Sequence, residues 1–144
     1  MAIERRAHAS WEGDLRNGSG KFDVGSGAIS GQEVTFASRF TPESGGKTSP
    51  EELIAAAWAS CFAMALSNGL AKAGNAPEKL ETSATVTFQP GQGIIKGALT
   101  VRGTVPSLDE AAFVAAANDA KQNCPVSQAL SGIPDVSLDA QLAS

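Results

Sequence analysis

The sequence predicts a mixed fold of strands and helices, and three observations carry that reading. The first forty residues alternate loosely and break at Gly- and Ser-rich clusters, Leu53 to Ala71 runs for 19 residues without a charge, and a Val-, Ile- and Thr-rich stretch leads into a second alanine-rich segment. Short alternating runs between turn clusters are strand signals, and capped alanine-rich runs are helix signals. At 144 residues the chain fits a single domain, residues 1–144. A domain of that size buries roughly 70% of the surface its unfolded form exposes.

Taken in order, "IERRAHASW", the turn clusters "RNGSGK" and "GSGAISGQ", and "EVTFASRF" read as an antiparallel meander, with Arg39 at the end of its last strand. "FTPESGGKTSP" reads as a loop. Ser49-Pro50-Glu51-Glu52 then starts a helix: Ser49 can cap, Pro50 suits the first helical position, and Glu52 can close a capping box. The helix should run from Pro50 to about Ala73 and stop at Gly74-Asn75. "LETSATVTFQ" and "GIIKGALTVRGTV" form a hairpin around "PGQG". A second capping box at Ser107-Leu108-Asp109-Glu110 opens a helix ending near Lys121, Pro125 starts a short third helix through Leu130, and "VSLDAQLA" is a closing strand.

Composition excludes several function classes. With 42% hydrophobic and 18% charged residues and a net charge of −4, the chain has no electrostatic footprint for nucleic acid. One histidine, His8, and two cysteines cannot assemble the usual zinc sets, so no metal is expected. The turn glycines form no phosphate-cradling loop, and no cofactor is expected either. The uncharged run is long enough to raise the question of a membrane span, but its alanines, with Ser60, Ser67, Asn68 and Gly69, make it weakly hydrophobic; a buried helix of a soluble protein is the better reading, with no membrane partner. "MAIERRAHASWEGD" lacks the apolar core of a secretory signal, which predicts a cytoplasmic protein, where stable structural disulfides are rare.

The two cysteines differ in setting. Cys61, within "AAAWASCFAMAL", is by default a small hydrophobe of a buried helix. Cys124 precedes Pro125, at a helix cap where N–H groups favour a thiolate, and on acidity alone it is the more reactive thiol. First-turn acids explain Glu51 and Glu52, a strand-end arginine such as Arg39 ordinarily faces solvent, and packing accounts for Trp58, Phe62, Met64 and Leu66.

At "RFTPESGGKTSPEELIAAAWASCFAMALS" together with "NCPVSQAL", the chain resembles the osmotically inducible protein C and organic hydroperoxide resistance family, and its OsmC branch more closely. The likeness joins an Arg-Phe strand end, a Ser-Pro-Glu helix start with a cysteine ten residues after the glutamate, and a distant Cys-Pro pair. It implies an α+β fold, with antiparallel sheets around a long central alanine-rich helix and a second helix, in an intertwined homodimer. It also implies a cysteine-based peroxidase of oxidative or osmotic stress defence. Carried over by position, Cys61 matches the peroxide-attacking cysteine, Cys124 the resolving one with which it forms a disulfide, Glu51 the glutamate of Pro-Glu, and Arg39 the arginine of "RF". Trp58 stands where many members have histidine, which makes the surroundings of Cys61 more apolar. The electron donor implied is an external dithiol, lipoyl-type in the hydroperoxide-resistance branch.

These residue types suit that chemistry. A thiolate must exist at neutral pH to break an O–O bond, and the departing alkoxide needs a positive partner. Arg39 can serve both, held by a carboxylate such as Glu51. Ten residues of straight helix separate Glu51 from Cys61 by about 15 Å along the axis, so a site that uses both is shared between two chains. A pocket drawn from Trp58, Phe62 and Met64 would favour organic hydroperoxides over hydrogen peroxide by burying an alkyl tail. Two other classes fit parts of the sequence: a binding protein for a small apolar ligand with inert core cysteines, and a thiol-disulfide oxidoreductase, which the lack of Cys-x-x-Cys disfavours.

Overall fold

The structure, a computed structural model, describes residues 1–41 and 45–143. Pro42, Glu43 and Ser44 of the expected loop lie outside the described residues. The chain divides into two compact units, residues 1–53 and 54–144.

In the first unit β1 (Ala7–Glu12), β2 (Ser19–Val24) and β3 (Gln32–Val34) form the expected antiparallel meander. The β1–β2 turn is held by Asp14, whose carboxylate accepts the Asn17 backbone N–H at 2.8 Å. The sequence expects "EVTFASRF" to be one strand, but the ladder ends at Val34 and Ala37–Arg39 form a 3-10 turn. Thr35 and Ser38 are the cause. The Ser38 N–H donates to Thr35 Oγ1 at 3.1 Å and the Thr35 N–H to Ser38 Oγ at 3.0 Å, local bonds that compete with strand pairing. Arg39 therefore stands on a turn, not a strand end.

α1 (Pro50–Lys72) begins where the sequence places it. Ser49 Oγ accepts the Glu52 N–H at 3.1 Å, whereas the Glu52 carboxylate accepts from the Thr48 hydroxyl at 2.6 Å instead of closing the box on Ser49. At the other end Gly74, with φ of 84°, reverses the chain; its N–H donates to Ala71 O at 3.0 Å and the Asn75 N–H to Leu70 O at 2.8 Å, a Schellman stop.

The second unit carries a sheet in the order β4 (Lys79–Gln89), β5 (Gly93–Thr104), β6 (Asp135–Leu142). β4 and β5 are the expected antiparallel hairpin, but β6 pairs parallel to β5, so this sheet is mixed rather than antiparallel. The chain between them, with α2 (Glu110–Asn123) and α3 (Pro125–Ala129), is the crossover a parallel pair requires. α2 starts two residues later than a Ser107 cap would have it. Asp109 is the cap, accepting the Ala112 N–H at 2.8 Å, because the Ser107 hydroxyl is engaged with Asn75 Oδ1 at 2.8 Å.

The core of this unit follows from two periodicities. Trp58, Phe62, Leu66 and Leu70 recur every fourth residue of α1, and Leu99, Val101 and Val105 occupy one face of β5 and its continuation; all are buried with Phe113, Ala117 and Ala120 of α2. Gly97 and Gly103, on that face of β5, make room for two of the three buried rings. A Cβ at Gly97 would stand 2.4 Å from the Trp58 ring and one at Gly103 would stand 2.6 Å from Phe113.

Candidate active site

The second unit brings the two cysteines together. Cys61, on α1, is half-buried; Cys124, between α2 and α3, is wholly buried. Both are free thiols, and each shifts the acidity of the other. Cys124 is fixed by its backbone, its N–H donating to Ala120 O at 2.8 Å while its carbonyl accepts the Gln128 N–H at 3.0 Å.

Their acidities are pushed apart. Burial raises the Cys61 thiol most; the Val126 N–H opposes it, and the neighbouring Cys124 adds to the rise. Burial also acts against the Cys124 thiolate, but the N–H and hydroxyl of Ser127, the Cys61 thiol and the Val126 N–H outweigh it and hold Cys124 below the ordinary thiol range. Within this unit Cys124 is therefore the more acidic of the two thiols, the direction that the capping argument gives.

Of the expected pocket residues, Met64 is exposed and lines a cleft of about 560 Å³ with Cys61, Asn68, Lys72, Asp119 and Asn123. Trp58 and Phe62 do not line that cleft. Phe62 is completely buried in the core, and Trp58 borders a separate cleft of about 360 Å³ beside Ser127 and Lys121. The Trp58 indole Nε1–H donates to Ser127 Oγ at 2.7 Å. Ser127 has no place in the sequence reading; its signal lay in "NCPVSQAL", where it stands three residues after Cys124, one helical turn on.

The first unit holds the expected ion pair. Arg39 Nη2 lies 2.5 Å from Glu51 Oε1, and its Nε lies 3.2 and 3.3 Å from the two carboxylate oxygens. Glu51 is buried; burial pushes its carboxyl up, but the Arg39 bonds and charge outweigh that and keep it below the usual carboxylate range. Those bonds in turn raise the Arg39 guanidinium. The pair is thus fully ionised and oriented at neutral pH. Among the described residues no three His, Cys, Asp or Glu side chains gather as a metal-ligand set.

A family model for OsmC-like proteins matches residues 43–139. Peroxiredoxin OsmC of Escherichia coli strain K12 is 42% identical over 100% of both chains. An organic hydroperoxide resistance protein of Xanthomonas axonopodis pathovar citri is 35% identical over 77% of this chain and 82% of its own. Among solved structures, an organic hydroperoxide resistance protein OsmC from Legionella pneumophila superposes with a TM-score of 0.73 at 25% identity, covering 98% of this chain and 99% of that one. A family match across two thirds of the sequence, joined to a relative alike from end to end, means that this chain belongs to the OsmC family.

Proposed function

We propose that the chain is a cysteine-based peroxidase that reduces organic hydroperoxides to alcohols in stress defence. The observation that carries this reading is the pair of free thiols that tune each other's acidity, one bordering an open cleft and one buried in the core. The names of its relatives, a peroxiredoxin and a hydroperoxide resistance protein, support the same class.

In this scheme the Cys61 thiolate attacks the terminal oxygen of ROOH. An S–O bond forms, the O–O bond breaks, and the alkoxide takes a proton to leave as ROH, with Cys61 as sulfenic acid. The Cys124 thiolate then attacks the Cys61 sulfur; the S–S bond forms and the S–O bond breaks, with hydroxide taking a proton to leave as water. An external dithiol, of which a lipoyl group is one form, returns both thiols by exchange and is itself oxidised. Because burial and its neighbour raise the Cys61 thiol, its thiolate needs a cation beside it, and Arg39, oriented by Glu51, is the group proposed for that role. The separation of about 15 Å along the helix between Glu51 and Cys61 makes this a site shared across a homodimer.

One equivalent of an organic hydroperoxide per chain is expected to consume both thiols and to leave a Cys61–Cys124 peptide crosslink detectable by mass spectrometry. Persistence of both thiols would overturn the peroxidase reading and favour inert core cysteines. Shared sites are checked by complementation: a heterodimer of Glu51→Ala with Cys61→Ser chains keeps one intact site and about half of wild-type activity. Activity no better than the Glu51→Ala homodimer, or a monomer at micromolar concentration, would end that part of the proposal.

A further inference from the structure

Ser38 has a part in the arginine and carboxylate pair that the scheme above leaves out. It is buried, next to Arg39 in the 3-10 turn, and its hydroxyl oxygen lies 2.7 Å from two carbonyls, Thr35 O within the turn and Thr48 O ten residues on. The same oxygen accepts the Thr35 N–H at 3.0 Å. A buried hydroxyl proton is satisfied by one acceptor, and Thr35 O alone would serve. The second carbonyl needs another account, and its place supplies one: Thr48 stands three residues before Glu51.

Thr48 is pinned through its other polar groups as well. Its N–H donates to Glu33 O at 3.3 Å and its hydroxyl to the Glu52 carboxylate at 2.6 Å. Its carbonyl is thus a fixed point at the entry to α1, and the Ser38 hydroxyl reaches it from the turn that carries Arg39. The backbone route from Arg39 to Glu51 has eleven intervening residues and passes Gly45 and Gly46, both at positive φ, the residue type that restrains a chain least. A hydrogen bond across the base of such a loop restrains its two ends directly.

We infer that Ser38 is a positioning residue for Arg39: by bonding Thr48 O it ties the turn bearing the guanidinium to the helix start bearing Glu51, and so fixes the direction in which Arg39 presents its charge. The inference deepens the peroxidase reading and rests on it only for the role given to Arg39. Ser38 touches no reacting atom in that scheme and acts through the ion pair. Arg39 Nη2 and Nε both reach the Glu51 carboxylate, a two-point contact that a small shift of either backbone disturbs. A misplacement of about 1 Å is enough to forfeit much of what a preorganised group contributes.

The test uses the full-length reduced protein with Ser38→Ala, Ser38→Thr, and Ser38→Ala combined with Arg39→Ala. Ser38→Ala is expected to slow the oxidation of Cys61 by cumene hydroperoxide about tenfold, the scale of one hydrogen bond, and Ser38→Thr, which keeps the hydroxyl, restores the rate. A packing role gives the reverse order, since alanine fits the space and threonine adds a methyl group. On an Arg39→Ala background the Ser38→Ala change should add nothing. A second readout needs no peroxide: the Glu51 carboxyl, followed by carbon-13 NMR against pH, should titrate higher in Ser38→Ala, because the Arg39 bonds and charge, with the Ser49 hydroxyl, are what hold it down against burial. An unchanged rate or an unmoved Glu51 titration in Ser38→Ala would overturn the inference, as would an effect that persists in full without Arg39. If Ser38→Ala does not fold, Ser38→Thr decides the matter, and loss of the wild-type rate or of the wild-type Glu51 titration there overturns it. An unchanged rate in Arg39→Ala would sink the role given to Arg39, whereas the Glu51 titration judges the Ser38 tie by itself.

Discussion

Cys61→Ser abolishes peroxide turnover, whereas Cys124→Ser still supports one round of attack and leaves Cys61 as a trappable sulfenic acid: that is the largest effect expected of this protein. Acidity alone argues the reverse, since Cys124 carries the lower pKa of the pair. Access decides against acidity. Cys124 is 0% exposed, so a peroxide has no approach to it, while Cys61 borders the cleft that also exposes Met64. A thiolate that cannot be reached does not react with a bulky oxidant, but it can react with the sulfur it already touches. The measurement is dimedone labelling followed by peptide mapping. Sulfenic acid accumulating on Cys124 in the Cys61→Ser protein at the wild-type rate would reverse the two roles.

The second expected effect is that Arg39→Ala slows the reaction of Cys61 with hydroperoxide by roughly two to three orders of magnitude, the usual scale for removing one preorganised group at developing negative charge. The reasoning begins with Cys61 itself, which burial and its neighbour hold in the thiol form. A guanidinium locked by three hydrogen-bond contacts to a buried carboxylate needs no reorganisation when a thiolate and then an alkoxide form near it. Glu51→Ala should be milder, because the charge survives and only its orientation loosens. Stopped-flow rate constants with the thiol pKa measured alongside provide the check; an Arg39→Ala protein unchanged in both has no such arginine in its site.

Much of this was legible because local rules and tertiary structure agree. Ser49-Pro50 starts α1 and Gly74 ends it, since cap chemistry is settled within a few residues. Two of the misreadings share a cause: a polar side chain with two possible partners. Thr35 and Ser38 bond each other's backbone and end a strand that alternation alone would continue. Ser107 is drawn to Asn75, thirty-two residues away, so the cap passes to Asp109. The direction of β6 was equally hidden, because its alternating pattern is the same whether its partner runs parallel or antiparallel. In the site, the sequence names Trp58, Phe62 and Met64 together but cannot say which way each faces. Four-residue spacing puts Trp58 and Phe62 on the stripe with Leu66 and Leu70, and Met64 lies off that stripe.

The unequal burial of the two sulfurs also bears on how an oxidised enzyme would be recycled. A disulfide can be opened at either sulfur, and the choice falls to whichever the incoming thiolate can reach. Cys61 is the accessible one here, so in the proposed cycle the reductant would form its mixed disulfide there and expel Cys124 as the leaving group. That departing sulfur is the one stabilised as an anion by Ser127 and Val126. The acidity that would prepare Cys124 to close the bond would thus also ease its departure, and unequal burial alone would give the recovery half of the cycle a direction.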